Sequence, residues 1–144
     1  MITGLHRAVR PTALLAINAL FLTVWGFAGF SKVSSGVPAY FPDKFGGTLL
    51  ASFPGLSPTF WILTASELVA FGLGAVALVR REFLERRSPM FLPACLAWSL
   101  MVFVQLSFGQ WLTNEFVGAA QQFSYFAGTL MALHYLTVGA GRPS

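Results

Sequence analysis

The chain has 144 residues, of which 56% are hydrophobic, 15% aromatic and only 10% charged, against about 25% charged in a soluble globular chain. The net charge is +4, but the basic residues sit between long apolar runs. That arrangement argues against a nucleic-acid surface and fits the flanks of membrane helices.

Four stretches reach the roughly 20 predominantly apolar residues that a crossing helix needs. They run over about Pro11–Phe30, Phe60–Val79, Met90–Trp111 and Phe116–Val138. The expected fold class is all-α: a single transmembrane domain over 1–144, built as an integral membrane four-helix bundle. Arg7 and Arg10 precede the first span, Arg80, Arg81, Arg86 and Arg87 join the second to the third, and Arg142 follows the fourth. Only Lys32 and Lys44 lie on the other side. Basic residues gather on the cytoplasmic side, so both termini are expected to be cytoplasmic, in a multi-pass protein of the inner (cytoplasmic) cell membrane.

The first span follows basic residues, as a signal peptide does. Its apolar run is too long for that, and Phe30-Ser31-Lys32 is a poor small-residue cleavage site. Asn18 is placed to hydrogen-bond a neighbouring helix. The long outer loop, Lys32–Thr59, mixes prolines and glycines with Phe41, Phe45, Leu49, Leu50 and Phe53. Proline and glycine favour turns, while the apolar residues require cover. The loop is expected on the bundle mouth or the membrane surface, with a short helix near Gly47–Ser52. It reads as an interfacial connector or as a lid. Trp61, Trp111 and Tyr40 fall where aromatic side chains anchor spans at the headgroups.

In the second span, Ser66, Ala70 and Gly74 recur every four residues; in the fourth, Ala120, Ser124, Gly128 and Ala132 do. Small residues at this spacing let membrane helices approach closely. They are expected to pack the second span on the fourth, or else to receive a helix of another subunit. The loop Arg80-Arg81-Glu82 to Glu85-Arg86-Arg87 reads as solvated. Cys95 is the only cysteine. It forbids an internal disulfide or C-x-x-C pair, argues against thiol-based quinone oxidoreductases, and reads as a packing residue. His134 and His6 lie on one membrane side without metal-ligand partners, so no metal site is expected. No P-loop, dinucleotide-binding glycine pattern or serine nucleophile motif is present.

Ionisable residues within spans are costly and point to function. Glu67 is the only acid inside a span, about 10 Å below Phe60 at 1.5 Å per residue. Gln105 lies about 9 Å below Trp111, and Gln121 and Gln122 about 8 to 9 Å below Phe116. Lys32 closes the first span just above that level, with a stem able to snorkel. Tyr125, Ser66 and Ser124 are near. Two readings stand. In one, the polar layer only fixes the packing, Glu67 being neutral or paired with Lys32. In the other, Lys32, Glu67, Gln105, Gln121, Gln122 and Tyr125 line an outward-facing pocket for a polar ligand head, such as a quinone ring or a lipid, or exchange a proton.

Gly26-Phe27-Ala28-Gly29-Phe30-Ser31-Lys32-Val33 resembles the end of the first helix of DoxX-type membrane proteins, a glycine-containing helix finishing in Gly-x-x-Lys. Glu67-Leu68-Val69-Ala70-Phe71-Gly72-Leu73-Gly74 is similar to that family's second helix. Lys32 and Glu67 match motif positions, whereas Gln105 and the Phe108-Gly109-Gln110-Trp111 end of span three depart from the pattern. The resemblance implies a small four-helix membrane subunit of a kind often tied to redox systems, with family members linked to quinone-coupled sulfur oxidation and to oxidative-stress complexes.

The first expectation is therefore a subunit or anchor of a larger redox complex, without catalysis or a cofactor of its own but able to hold a quinone. Its partners would be the bilayer and other membrane subunits or copies of itself, not nucleic acid. The alternatives are a proton-coupled transporter protonated at Glu67, and a membrane enzyme on a lipid-soluble substrate with Glu67 and Lys32 as acid and base.

Overall fold

The computed structural model describes the backbone of residues 2–84 and 88–140 and the side chains of 9–84 and 88–138. Arg86, Arg87 and Arg142, on which the expected orientation partly rests, lie outside the described residues. Among the described residues six helices follow in order: α1 (Ile2–Ser35), α2 (Tyr40–Phe45), α3 (Leu49–Ser52), α4 (Leu56–Val79), α5 (Phe91–Leu112) and α6 (Phe116–Ala140). No strand occurs among the described residues.

Three helical stretches, Val9–Ser35, Leu56–Val79 and Phe91–Leu112, are long and apolar enough to cross a membrane. Helix α6 is long enough, at 25 residues, but falls outside that group. Gln121, Gln122, Ser124, Tyr125, His134 and Tyr135 dilute its apolar character.

The long helices pack in the order α1–α4–α5–α6. Contacts fix their directions. Asn18 of α1 meets Gly74 and Leu78 of α4, whereas Lys32 meets Glu67. The numbering rises on one helix as it falls on the other, so α1 and α4 are antiparallel. Cys95 reaching Ala70 and Gln105 reaching Ser66 make α4 and α5 antiparallel as well. One apolar core joins Leu14, Trp25, Ala77, Leu96, Phe103 and Leu136. Trp25 is 1% exposed. Its ring lies 5.1 Å from that of Phe103, and its indole N–H donates to Ser99 Oγ at 2.8 Å.

The Asn18 amide, oriented to suit its neighbours, donates to the Gly74 carbonyl (3.0 Å) and accepts from the Leu78 N–H (3.2 Å). It bridges one turn of α4, the helix-to-helix role expected of it. Close approach of α1 to α4 depends on Gly29, where a Cβ would stand 2.7 Å from Leu68 Cδ2. Cys95 is fully buried and donates its S–H to the Ala70 carbonyl at 3.2 Å, as a packing cysteine does.

The connection between the first two long helices is shorter than Lys32–Thr59. Helix α1 continues through Lys32, where the Ser34 and Ser35 hydroxyls donate to carbonyls one turn back. Gly36 ends it at φ +66, its N–H returning to the Lys32 carbonyl; glycine adopts that backbone at no steric cost. The short helix expected near Gly47–Ser52 is α3. A second one, α2, accommodates Pro42 in its first turn, where no helix hydrogen bond is lost. Phe41 and Leu50 are buried, and Phe41 meets Phe60 of α4 edge-on at 5.5 Å, so this apolar segment caps the helices as anticipated. Phe53 is 80% exposed, as are, in part, Tyr40, Trp61 and Trp111 around the same end.

The small-residue stripes correct the expected packing. Ser66, Ala70 and Gly74 are buried, but against α5 and α1 rather than α6. A Cβ on Gly74 would lie 3.4 Å from Leu22 and 3.5 Å from Cys95 Sγ. On α6, Ala120, Ser124 and Gly128 are exposed and Ala132 half-buried; a Cβ on Gly128 would meet nothing within 4 Å. Spacing defines a stripe, while the direction it faces is set by the larger residues opposite. Ala119, Thr129 and Leu136 occupy the buried face of α6, so its small residues turn outward.

Glu82 is the second correction. It is 2% exposed, not solvated. Helix α4 ends in a Schellman turn with Arg81 at φ 55, where Arg81 N–H reaches Leu78 O and Glu82 N–H reaches Ala77 O. The turn swings Glu82 under α5. Its carboxylate accepts from the backbone N–H groups of Phe91 (2.8 Å) and Leu92 (2.8 Å), satisfying free donors at the positive end of the helix dipole.

Candidate functional site

The polar residues of the expected layer separate into three groups. The first is the pair between α1 and α4. Lys32 Nζ donates to both Glu67 oxygens, at 2.7 and 2.8 Å. Glu67 is 1% exposed while the Lys32 side chain retains 26%, so the carboxylate is sealed inside the bundle and the lysine stays partly open. Lysine stands at the close of a helix whose glycines lie against α4, and its stem carries the charge the remaining distance. A buried charge requires such a partner. Because the pair is closed on itself, each member occupies the other's reactive position.

The second group lies between α4 and α5. Ser66 donates its hydroxyl to the Ile62 carbonyl at 3.0 Å and so accepts from Gln105 Nε2 at 3.3 Å. Trp98 Nε1 donates to the Ser66 carbonyl at 2.9 Å. Gln105 also borders a cavity of about 320 Å³. Its roof is the α2–α3 segment, with Phe41, Phe45 and Leu50; its walls are α4, with Ile62 and Leu63, and the α5 turn from Gln105 to Gln110. Lys44 ties the roof to the α5–α6 turn through an ion pair with Glu115 at 2.7 Å. Asn114, at φ 58, shapes that turn, a second Schellman motif in which Glu115 N–H reaches Gln110 O.

The third group is on α6 and does not join the others. Gln121 and Tyr125 are exposed, although the Tyr125 ring lies 5.9 Å from that of Phe103. Gln122 faces inward, and its Oε1 is buried without a hydrogen-bond partner; so is Oε1 of Gln110, a residue outside the expected layer. Adjacent helical residues diverge by about 100°, so Gln121 and Gln122 cannot share one pocket.

A hollow of about 440 Å³ is lined only by residues of α1, Phe27 and Phe30 among them, and is a groove on the outer surface of one helix. No group of three or more His, Cys, Asp or Glu residues that could hold a metal occurs among the described residues. The chain matches no family model, no curated protein and no solved structure in such comparisons.

Proposed function

We propose that all four long helices cross the bilayer as a four-helix bundle with cytoplasmic termini. In this reading the chain is a small non-catalytic subunit or anchor of a larger, redox- or quinone-linked membrane complex. The observation that carries the reading is the outer face of α6. That helix presents Val117, Phe123 and Met131, each more than 70% exposed, together with the small residues Ala120, Ser124 and Gly128 and the amide of Gln121.

Large apolar side chains so exposed suit hydrocarbon. A glutamine amide in hydrocarbon needs a partner, and small residues admit one closely. The DoxX resemblance supports the redox assignment, and Lys32 and Glu67, which match its motif positions, are the two residues that pair. Purification in mild detergent with identification of co-purifying chains tests the reading. A stoichiometric partner chain is expected; a clean homodimer would count heavily against it.

A proton-coupled transporter is the second reading, favoured by the sealed Glu67 carboxylate. It requires proton-dependent uptake in proteoliposomes that Glu67→Gln abolishes.

A further inference from the structure

The cavity beneath α2 and α3 measures about 320 Å³. Packed interiors hold few voids larger than a water molecule, and an apolar cavity of roughly 150 Å³ already stays dry and takes up benzene. The polar side chains along this cavity have their contacts elsewhere. Thr59 donates its hydroxyl to the Gly55 carbonyl at 2.8 Å. The Gln105 amide nitrogen sits on Ser66 at 3.3 Å, and the Gln110 amide is pressed on α6, 2.8 Å from where a Cβ at Gly118 would stand. What remains is Phe41, Phe45 and Leu50 above, with Leu63, Leu106 and Phe108 at the sides. Such walls offer dispersion contacts to hydrocarbon.

The cavity also reaches the outer surface of the bundle. Ile62 of α4 and Phe108 of α5 line it and are 53% and 47% exposed. The two stand opposite each other. Ile62 lies one turn outward from Ser66 and Phe108 one turn outward from Gln105, and those two are hydrogen-bonded across the helices; residues three or four apart share a helix face. Both helices are long and apolar enough to cross a membrane. Trp61 and Trp111, exposed and just outward of this opening, stand where aromatic side chains meet the headgroups. The opening lies about 2 to 5 Å below them at 1.5 Å per residue, and so faces the outermost hydrocarbon.

We propose that an acyl chain of a membrane lipid enters between Ile62 and Phe108 and fills the cavity under the α2–α3 segment, its headgroup remaining at the level of Trp61 and Trp111. A bilayer supplies acyl chains at far higher concentration than any other apolar molecule, and the gain comes from filling a void rather than from leaving water. The roof is held over the chain on two sides. Phe41 stands edge-on to Phe60 at 5.5 Å, and Lys44 pairs with Glu115 at 2.7 Å. The proposal rests on the reading above in placing α4 and α5 in a bilayer, and it needs no quinone.

The test is photolabelling of the full chain in phosphatidylcholine vesicles doped with a phosphatidylcholine that carries a mid-chain diazirine, with adducts located by peptide mass spectrometry. Leu50, 8% exposed, and Leu106 should carry label, as should Val69 and Met101, which are exposed on α4 and α5. Gly109 stands in the cavity wall, where a Cβ would lie 3.7 Å from the Phe45 ring, so Gly109→Leu should fill the cavity. Label on Leu50 and Leu106 should fall to background while that on Val69 and Met101 holds. Ile62→Trp, at an exposed position, should narrow the opening and lower the same two labels.

Label confined to the exposed residues overturns the proposal and leaves the membrane reading intact, as does undiminished label on Leu50 and Leu106 in folded Gly109→Leu. Should Gly109→Leu not fold, Ile62→Trp decides, and unchanged label there overturns the proposal. Cavity label from a diazirine-bearing hexadecane but not from the phospholipid assigns the site to a free apolar molecule and overturns the acyl-chain assignment. Absence of label on Val69 and Met101 as well overturns both the proposal and the placement of α4 and α5 in the bilayer.

Discussion

The seam of α1 and α4 with α5 and the seam of α5 with α6 use similar residues to opposite ends. In the first, the fully buried polar side chains have their complements. Asn18 bridges Gly74 and Leu78, Trp25 donates to Ser99, and Glu67 holds Lys32 with both oxygens. The small stripe of α4 is covered. In the second, Gln110 and Gln122 keep buried oxygens without donors, and the α6 stripe faces out. Satisfied polar groups specify a fold. Unsatisfied ones show where packing leaves an acceptor without its donor, and here Gln110 Oε1 lies against Gly118 of α6 and Gln122 Oε1 lies on α6 itself.

The largest effect that tests this contrast is expected at the ion pair. Glu67→Leu alone strands the Lys32 ammonium beside apolar neighbours, and Lys32→Met alone strands a carboxylate that is 1% exposed. Breaking one side of a buried pair costs about 3–5 kcal/mol, whereas replacing both partners by apolar residues is often neutral. Thermal unfolding in detergent should therefore rank Lys32→Met below the double variant Lys32→Met/Glu67→Leu, with the double near wild type. If instead the double falls as far as the worse single, the pair does more than satisfy itself, and the transporter reading gains.

A smaller effect is expected at Glu82. Glu82→Ala frees the N–H groups of Phe91 and Leu92, and loss of a helix cap costs about 1–2 kcal/mol. Amide exchange at the start of α5 should accelerate, with the α4–α5 middle unchanged. Unchanged exchange at Phe91 and Leu92 would show that solvent replaces the carboxylate without cost.

These residues differ in how far the sequence revealed them. Lys32 and Glu67 were legible because charges within apolar runs demand a partner, and only one of each lay at that depth. Cys95 and Asn18 were legible for similar reasons. Glu82 was not, since its role comes from a turn in which Arg81 takes a left-handed backbone. A signal existed nonetheless: α5 opens Met90-Phe91-Leu92-Pro93, with no capping side chain, so its free N–H groups must be met from elsewhere. Gln105, Gln121 and Gln122 share a depth, which suggests one layer, but depth along a helix does not set the angle around it. Gln110 lies nearer the helix end, where nothing in the sequence marks it out; its enclosure against Gly118 sets it apart.

The smallest expected change is the most pointed for the two seams. Gly74 and Gly128 sit at equivalent places in the α4 and α6 stripes, but only Gly74 has Leu22 and Cys95 within 3.5 Å of a would-be Cβ. Gly128→Leu meets nothing in its own chain, and replacing a helical glycine by a better helix former favours the helix by up to about 1 kcal/mol. The unfolding temperature of the isolated chain should stay level or rise slightly. Any partner seated on the stripe would meet a leucine where the backbone had been open, so recovery of co-purifying chains should drop while stability holds. A stable variant that keeps its partners would remove α6 as the contact face and move the subunit interface to another helix.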